Sequence, residues 1–144
     1  LTAVVTQNID GLHQAAGSRR VYELHGSIHR NYCMNCGKFY DAAYVKNSEG
    51  IPKCSCGGVV KPDVVLYEEG LDPQTIQDAV EAIASADMLL IGGTSLVVYP
   101  AAGFIDYFRG KHLAVINKSE TAKNIRSELM ISAPIGEILS RITV

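Results

Sequence analysis

Four cysteines in two close pairs are the strongest constraint on how this chain can fold. Two residues lie between Cys33 and Cys36, one residue lies between Cys54 and Cys56, and seventeen residues separate the pairs. Each pair can present two thiolates from a tight turn, and two such turns can complete the tetrahedral site that zinc prefers. The spacing predicts one structural zinc ion per chain, held by a zinc-ribbon module over residues 31–60.

Two disulfides, or four buried free thiols, are the alternatives for these cysteines. Disulfides are typical of secreted proteins, and the sequence shows no secretory signal. We therefore expect zinc and a cytoplasmic location. The single residue between Cys54 and Cys56 is a tighter spacing than the usual two, which affects the expected ligand geometry but not the identity of the ligands.

Composition argues against two classes of partner. The net charge of the 144 residues is −2, and acidic and basic side chains are interspersed, so the sequence has no basic stripe of the kind that binds nucleic acid. The longest apolar runs, such as residues 88–91, are far shorter than the ~20 residues of a membrane span. We expect neither a nucleic acid partner nor a membrane segment.

Outside the cysteine region, short apolar runs alternate with helical patterns. Runs at residues 1–5, 64–67, 88–91 and 113–116 predict strands, and helices are predicted over 73–86, 100–108 and 134–142. This alternation is typical of the α/β class and predicts a doubly wound, Rossmann-like parallel sheet with the zinc ribbon inserted into it. Residues 1–30 and 61–144 would form the sheet domain.

Polar residues follow three of the predicted strands. The carboxyl ends of parallel strands are where ligands bind in such sheets. For Asn8 and Asp10 the alternative is a helix cap, and for the glycines it is a simple turn between strand and helix. The candidate ligand-binding residues at these ends are Gln7, Asn8, Asp10, Gly93, Thr94, Ser95 and Asn117.

Three segments in chain order resemble the sirtuins, the NAD-dependent protein deacylases. They are Thr-Gln-Asn-Ile-Asp-Gly-Leu-His at residues 6–13, Glu-Leu-His-Gly-Ser at residues 23–27, and the two cysteine pairs. The resemblance covers nearly the whole chain, but the family's glycine-rich cofactor loop and Asp-Phe-Arg segment are not found in it. We therefore expect a fragment with an incomplete sheet that is inactive on its own, and either poorly soluble or ordered only through a partner chain that completes the sheet.

The resemblance implies an NAD-dependent lysine deacylase that releases nicotinamide and transfers the acyl group to ADP-ribose. It implies that His25 is the general base, a role that suits imidazole because it titrates near neutral pH. NAD would contact the seven strand-end residues given above. An acyl-lysine protein or peptide would pair as an added strand with the segment Val65, Leu66 and Tyr67.

Two other functions remain open at this point. Mono-ADP-ribosyl transfer shares the cleavage of NAD but passes the ribosyl group to a protein side chain. A non-catalytic zinc-ribbon interaction module would explain the cysteines but would leave Gln7, Asn8, Asp10 and His25 without a role. Release of nicotinamide distinguishes an enzyme from an interaction module.

Overall fold

The computed structural model describes residues 1–119 and 127–143. The chain divides into two compact units, Leu1–Gln77 and Asp78–Val144, and each is described by itself. In the described ranges, no helix has both the length and the apolar character needed to cross a membrane.

A small parallel sheet begins the first unit. Strand β1 (Val4–Thr6) pairs with β2 (Val21–Glu23), and the short helix α1 (Leu12–Ala15) lies between them in the sequence. Strand β1 is shorter than the strand predicted over residues 1–5, and its residues are half-buried. Pairing begins only at Val4, where its N–H bonds to the Arg20 carbonyl, and Leu1 is fully exposed.

A three-stranded antiparallel sheet forms the rest of the first unit. Strand β3 (Gly26–Cys33) lies between β4 (Phe39–Asp41) and β5 (Val60–Val64). Helix α2 (Ala42–Lys46) follows β4 and is capped by the Asp41 carboxylate, which accepts the Tyr44 N–H at 2.7 Å. The core of this sheet holds Cys33, Cys54 and Val60, with Tyr40 and Val45 packed against them.

Strand β5 differs from the strand predicted over residues 64–67. It starts earlier and ends at Val64. The Leu66 N–H is bonded to the Glu69 carboxylate at 2.9 Å and the Leu66 carbonyl to the Glu69 N–H at 3.1 Å, so a local turn uses the backbone that a strand would need. Pro62 lies inside β5, which is tolerated because β5 is an edge strand of this sheet.

Helix α3 (Pro73–Ala84) spans the division between the two units and is the longest helix among the described residues. Its start follows the predicted signal: the Asp72 carboxylate accepts both the N–H and the hydroxyl of Thr75 at 2.7 Å, and Pro73 occupies the first helical position.

The second unit is built on a parallel sheet. Strands β6 (Met88–Gly92), β7 (His112–Asn117) and β8 (Leu129–Ser132) pair in that order. Strand β8 was not predicted, because its four residues show no clear alternation of apolar and polar side chains. One face of the sheet packs Ile91 and Val115 against Leu96.

The helices of this unit are shorter than predicted. The region predicted as one helix over residues 100–108 is a four-residue helix α4 (Ala101–Phe104) followed by a 3₁₀ helix (Ile105–Tyr107). Helix α5 (Ile135–Leu139) ends before the predicted residue 142. The α/β class with parallel strands and a cluster of four cysteines consistent with a zinc ribbon is nevertheless confirmed. The predicted boundaries of the zinc ribbon, 31 and 60, stay a prediction.

Candidate active site and metal centre

The four cysteine sulfurs lie together, all within 4.8 Å of one another. Sγ–Sγ distances are 3.5 Å for Cys33–Cys56, 3.6 Å for Cys36–Cys54 and 3.5 Å for Cys36–Cys56. A tetrahedral zinc site with Zn–S bonds of ~2.3 Å has edges of ~3.8 Å. All four thiols are free, and these distances are too long for a disulfide. The residues present therefore fit a closed structural zinc site.

Two tight turns bring the sulfurs together. In the first, the Gly37 N–H bonds to the Cys33 carbonyl at 2.9 Å; in the second, the Cys54 N–H bonds to the Gly58 carbonyl at 2.8 Å. The Met34 N–H joins the two turns by donating to the Val59 carbonyl at 2.9 Å. The shape of the site therefore rests on backbone hydrogen bonds within and between the two turns.

The electrostatics of the cluster also suit a cation. The Cys56 N–H and then the Tyr40 hydroxyl lower the pKa of the Cys54 thiol to about 5, and the Cys36 N–H lowers the pKa of Cys33. At Cys56 the Gly58 N–H also favours the thiolate, but the three neighbouring sulfurs outweigh it and raise its pKa to about 12. Thiolates crowded in this way repel one another, and Zn²⁺ among them would relieve that repulsion.

His25 lies in a two-residue turn between β2 and β3. The preceding Leu24 is 2% exposed and its N–H bonds to the Thr6 carbonyl at 2.9 Å, while the His25 carbonyl accepts the Val65 N–H at 3.1 Å. The His25 side chain bonds through Nδ1 to the Gln7 carbonyl at 3.1 Å. A carbonyl can only accept, so Nδ1 carries the proton. In the neutral ring, Nε2 is then the nitrogen with a free lone pair.

The glycine after His25 is required by a close approach between strands. Gly26 has φ 75°, and a Cβ there would overlap the backbone carbonyl of Asp63 on β5. The His-Gly sequence is thus explained by the geometry of the turn that presents His25.

The segment after β1 holds a buried amide that lacks a partner. Gln7 Nε2 is buried and has no hydrogen-bond partner in the described ranges, which is costly for a donor. Asp10 accepts the Leu12 N–H at 3.0 Å just before α1, although the N-cap of that helix is Gly11, which makes no side-chain cap bond. Asn8 is exposed, and its N–H bonds to the Thr6 hydroxyl at 3.1 Å. A ligand with hydroxyl or carbonyl acceptors would satisfy the Gln7 amide.

In the second unit, the predicted strand-end residues meet at one edge of the sheet. Gly92 on β6 lies opposite Ile116 on β7, and the Gly93 N–H bonds to the Ile116 carbonyl at 3.2 Å. The loop that follows β6 is therefore next to Asn117. That loop also holds Thr94 and the exposed Ser95; the Thr94 hydroxyl accepts the Leu96 N–H at 3.2 Å. The Asn117 side chain donates to the Ser119 carbonyl at 2.8 Å.

The segment Val65–Tyr67 is partly engaged already. The Val65 N–H bonds to His25, and both backbone groups of Leu66 bond to Glu69. Tyr67 is fully exposed. Within the described ranges, the Val65 carbonyl and the Tyr67 backbone are the groups of this segment that a peptide could pair with.

Two neighbouring residues on β3 were not identified from the sequence. Arg30 donates from Nη1 to Glu23 and from Nε to Asp63, both at 2.8 Å. His29 Nε2 bonds to the Asp10 carbonyl at 2.9 Å. Both residues lie in the stretch between Ser27 and Asn31 where the pairing of β3 with β5 shifts register, and sequence spacing does not predict such a shift.

A family model described as the Sir2 family matches residues 1–100. The NAD-dependent protein deacetylase of Clostridium acetobutylicum is 65% identical over 144 residues, covering 99% of this chain and 59% of that protein. The protein of the same name from Clostridium perfringens is 60% identical with the same coverage. A solved structure named "Sir2-p53 peptide-NAD+" superposes with a TM-score of 0.85 at 34% identity, covering 96% of this chain and 60% of that one. The chain spans 59% of the length of these curated relatives. With the family model matching well over half of its residues, the chain belongs to the Sir2 family.

Proposed function

We propose that this chain supplies the general base, the structural zinc module and part of the cofactor site of a cytoplasmic NAD-dependent protein lysine deacetylase. The observation that carries the proposal is the orientation of His25, whose Nδ1 bonds to the Gln7 carbonyl and leaves Nε2 as the proton acceptor. The curated relatives carry the name of this activity, which supports the proposal.

His25 would act as a base held in one orientation. Its carbonyl accepts the Val65 N–H, the N–H of the preceding Leu24 bonds to Thr6, and its ring is held by the Gln7 carbonyl. When bound, NAD supplies a ribose whose bond to nicotinamide can be broken, so that ADP-ribose can take the acyl group. Nε2 of His25 would accept a ribose hydroxyl proton in that reaction. A fixed ring loses little entropy on reaching a reactive geometry.

The proposed cofactor contacts are assigned within each unit. In the first unit, Gln7 would use its buried amide to donate to a ribose hydroxyl, and Asn8 and Asp10 would hold the nicotinamide side. In the second unit, Gly93, Thr94, Ser95 and Asn117 would contact the cofactor at the edge where β6 and β7 end. The buried, unpartnered Gln7 amide is the structural observation that favours a hydroxyl-rich ligand.

The proposed substrate is an acetyl-lysine peptide. A neighbouring structure named "Sir2 bound to acetylated peptide" is 33% identical, with a TM-score of 0.85. In this chain the peptide backbone would pair with the Val65 carbonyl and the Tyr67 backbone. Because the Val65 N–H bonds to the His25 carbonyl, a peptide bound there would lie close to the base.

The test uses a hybrid protein, in which these 144 residues replace the matching segment of the Clostridium acetobutylicum relative. The hybrid is incubated with NAD and an acetyl-lysine peptide, and nicotinamide and deacetylated peptide are measured by chromatography. We expect the two products in equal amounts. We expect His25→Ala to lower the rate roughly a hundredfold or more, because a general base contributes about that much.

His112→Ala is the matched control for His25→Ala. His112 bonds to Glu128 at 2.9 Å, and both side chains are 60% exposed, so this surface pair contributes little. The control variant should retain the rate of the unmodified hybrid. Nicotinamide release without deacetylated peptide, or a normal rate in His25→Ala, would contradict the proposal.

A further inference from the structure

Strand β3 contains an irregularity whose two ends are held by buried polar side chains. Its pairing with β5 shifts register between Ser27 and Asn31. The Ser27 hydroxyl accepts the His29 N–H at 3.2 Å, and the Asn31 side chain donates to the Ile28 carbonyl at 3.2 Å. Ser27 is 2% exposed and Asn31 is 1% exposed. Such bulges redirect side chains out of the regular ladder, and this one redirects Ile28 and His29.

Both redirected residues contact the segment that follows β1. The Ile28 N–H donates to the Ile9 carbonyl at 3.1 Å. His29 Nε2 bonds to the next carbonyl, that of Asp10, at 2.9 Å. Because the carbonyl can only accept, Nε2 of His29 carries the proton in this contact. Two consecutive carbonyls of one loop are therefore held from the bulge.

Gly11 provides a second, independent sign of the same contact. It has φ 68°, and a Cβ built there would lie 2.7 Å from His29 Cδ2 and 2.9 Å from His29 Nε2. The imidazole ring therefore lies directly against the backbone of Gly11, and no larger residue fits beneath it. The loop and the ring are complementary in shape as well as bonded.

We propose that His29 is a positioning residue for the segment Gln7–Gly11, which it holds in place through the Asp10 carbonyl and the Gly11 backbone. This inference rests on the proposed function, in which Gln7, Asn8 and Asp10 bind NAD. His29 itself does not touch the cofactor. It reduces the freedom of the loop before the cofactor arrives, and binding then costs less ordering entropy.

The first measurement needs no cofactor. In the hybrid protein, amide hydrogen exchange is measured at residues 9–12 for three proteins: the unmodified hybrid, His29→Ala and His29→Gln. We expect roughly tenfold faster exchange in His29→Ala, as for the loss of one hydrogen bond. Glutamine can present an N–H at a similar reach, so His29→Gln should restore most of the protection. His112→Ala is the matched control and should leave exchange at residues 9–12 unchanged.

The second measurement separates positioning from a general loss of folding. His29→Ala should raise KM for NAD roughly tenfold, while kcat and KM for the peptide stay within about twofold. Zinc content should stay at the unmodified level in both His29 variants. Unchanged exchange and unchanged KM for NAD in His29→Ala would overturn the inference, and so would an equal rise in both KM values.

Gly11→Ala tests the steric part of the contact. In the protein with His29 present, this substitution adds both backbone strain at φ 68° and an overlap with the imidazole. In the His29→Ala variant it adds only the backbone strain. Its effect on exchange at residues 9–12 should therefore be smaller in the double variant, and strictly additive effects would count against the inference.

If His25→Ala kept normal activity, the proposed function would fail, while the exchange measurements would still decide the role of His29.

Discussion

At the scale of single residues, Arg30 shows how the turn bearing His25 is held. Its guanidinium bonds to Glu23 on β2 and to Asp63 on β5, so it joins the two sheets of the first unit. The two carboxylates are not equivalent: the Glu23 side chain is 6% exposed and that of Asp63 is 44% exposed. Arg30 is therefore the counter-ion of a buried carboxylate that lies two residues before His25. Burial alone would lower the pKa of Arg30. The two carboxylates outweigh this effect and raise that pKa, so the guanidinium stays charged.

We expect Arg30→Met to lower the free energy of unfolding by roughly 2 kcal/mol, because it leaves Glu23 buried without a cation; the partial exposure of Arg30 reduces the full penalty. Asp63→Asn should cost less than about 1 kcal/mol, since that contact is half exposed. Urea unfolding of the hybrid protein and its variants measures both. Adding Glu23→Gln to Arg30→Met should recover part of the loss. Equal losses in the two single variants would contradict this account.

At the scale of elements, the turn after β5 depends on one carboxylate. Glu69 accepts the Leu66 N–H at 2.9 Å and lies 3.4 Å from Lys61 Nζ. The Leu66 N–H and then Lys61 lower the pKa of Glu69. A carboxyl whose pKa is lowered by folding stabilises the fold above its unfolded pKa. That contribution is lost as the pH falls through the lower, folded value.

We therefore expect the turn at residues 65–69 to loosen in acid. As the pH falls below about 4, the ordinary range of a glutamate, amide exchange at Leu66 should speed up after correction for the intrinsic pH dependence. In Glu69→Ala, Leu66 should exchange fast at every pH and show no such transition. A transition of the same size in Glu69→Ala would show that another group controls the turn.

The cysteine cluster is an element-scale feature as well, because β3 and β5 connect it to the active-site turn. Cys33 lies opposite Val60 at one end of this pair of strands, and Gly26 lies opposite Val64 at the other. Loss of the metal at one end of these strands should therefore disturb the turn that bears His25 at the other end.

We expect one zinc ion per chain in the purified hybrid, and loss of the metal in Cys36→Ser. Structural zinc contributes on the order of 10 kcal/mol to folding of its module, so a strong chelator should expose β3 and β5 to amide exchange. Ser55→Ala, between two ligands but not itself a predicted ligand, should retain the zinc. Metal analysis by mass spectrometry decides the point. Far less than one zinc, or a disulfide between Cys54 and Cys56, would contradict the assignment.

At the scale of the whole molecule, the chain spans 59% of its curated relatives, and activity should depend on the rest of that length. We expect the 144 residues assayed alone to deacetylate far more slowly than the hybrid protein, because the relatives' remaining length would complete the cofactor site. NAD-dependent deacetylation measured side by side tests this. Comparable rates would show that the residues assigned here suffice for catalysis.

The sequence predicted the features that local patterns control. The cysteine spacing led to a cluster with metal-like geometry, and Asp72 with Pro73 marked the start of α3 correctly. Prediction from the sequence failed where contacts between distant residues decide the structure. The strand predicted over residues 64–67 is displaced because Glu69 takes the backbone of Leu66. His29 and Arg30 lie where the pairing of β3 with β5 shifts register, and such an irregularity has no reliable signature in a single sequence.

Gly26 pairs with Val64, which lies far from it in the sequence, and this pairing has a consequence for the order in which the chain folds. Bringing these residues together closes a large loop, and the entropic penalty grows with loop length, by about 0.6 kcal/mol for each doubling. A metal ion that joins Cys33 to Cys56 early would close most of that loop in advance. We expect zinc to speed refolding as well as to stabilise the product, so the His25 turn would form soon after the metal binds. Zinc supply during synthesis would then limit how fast the protein matures.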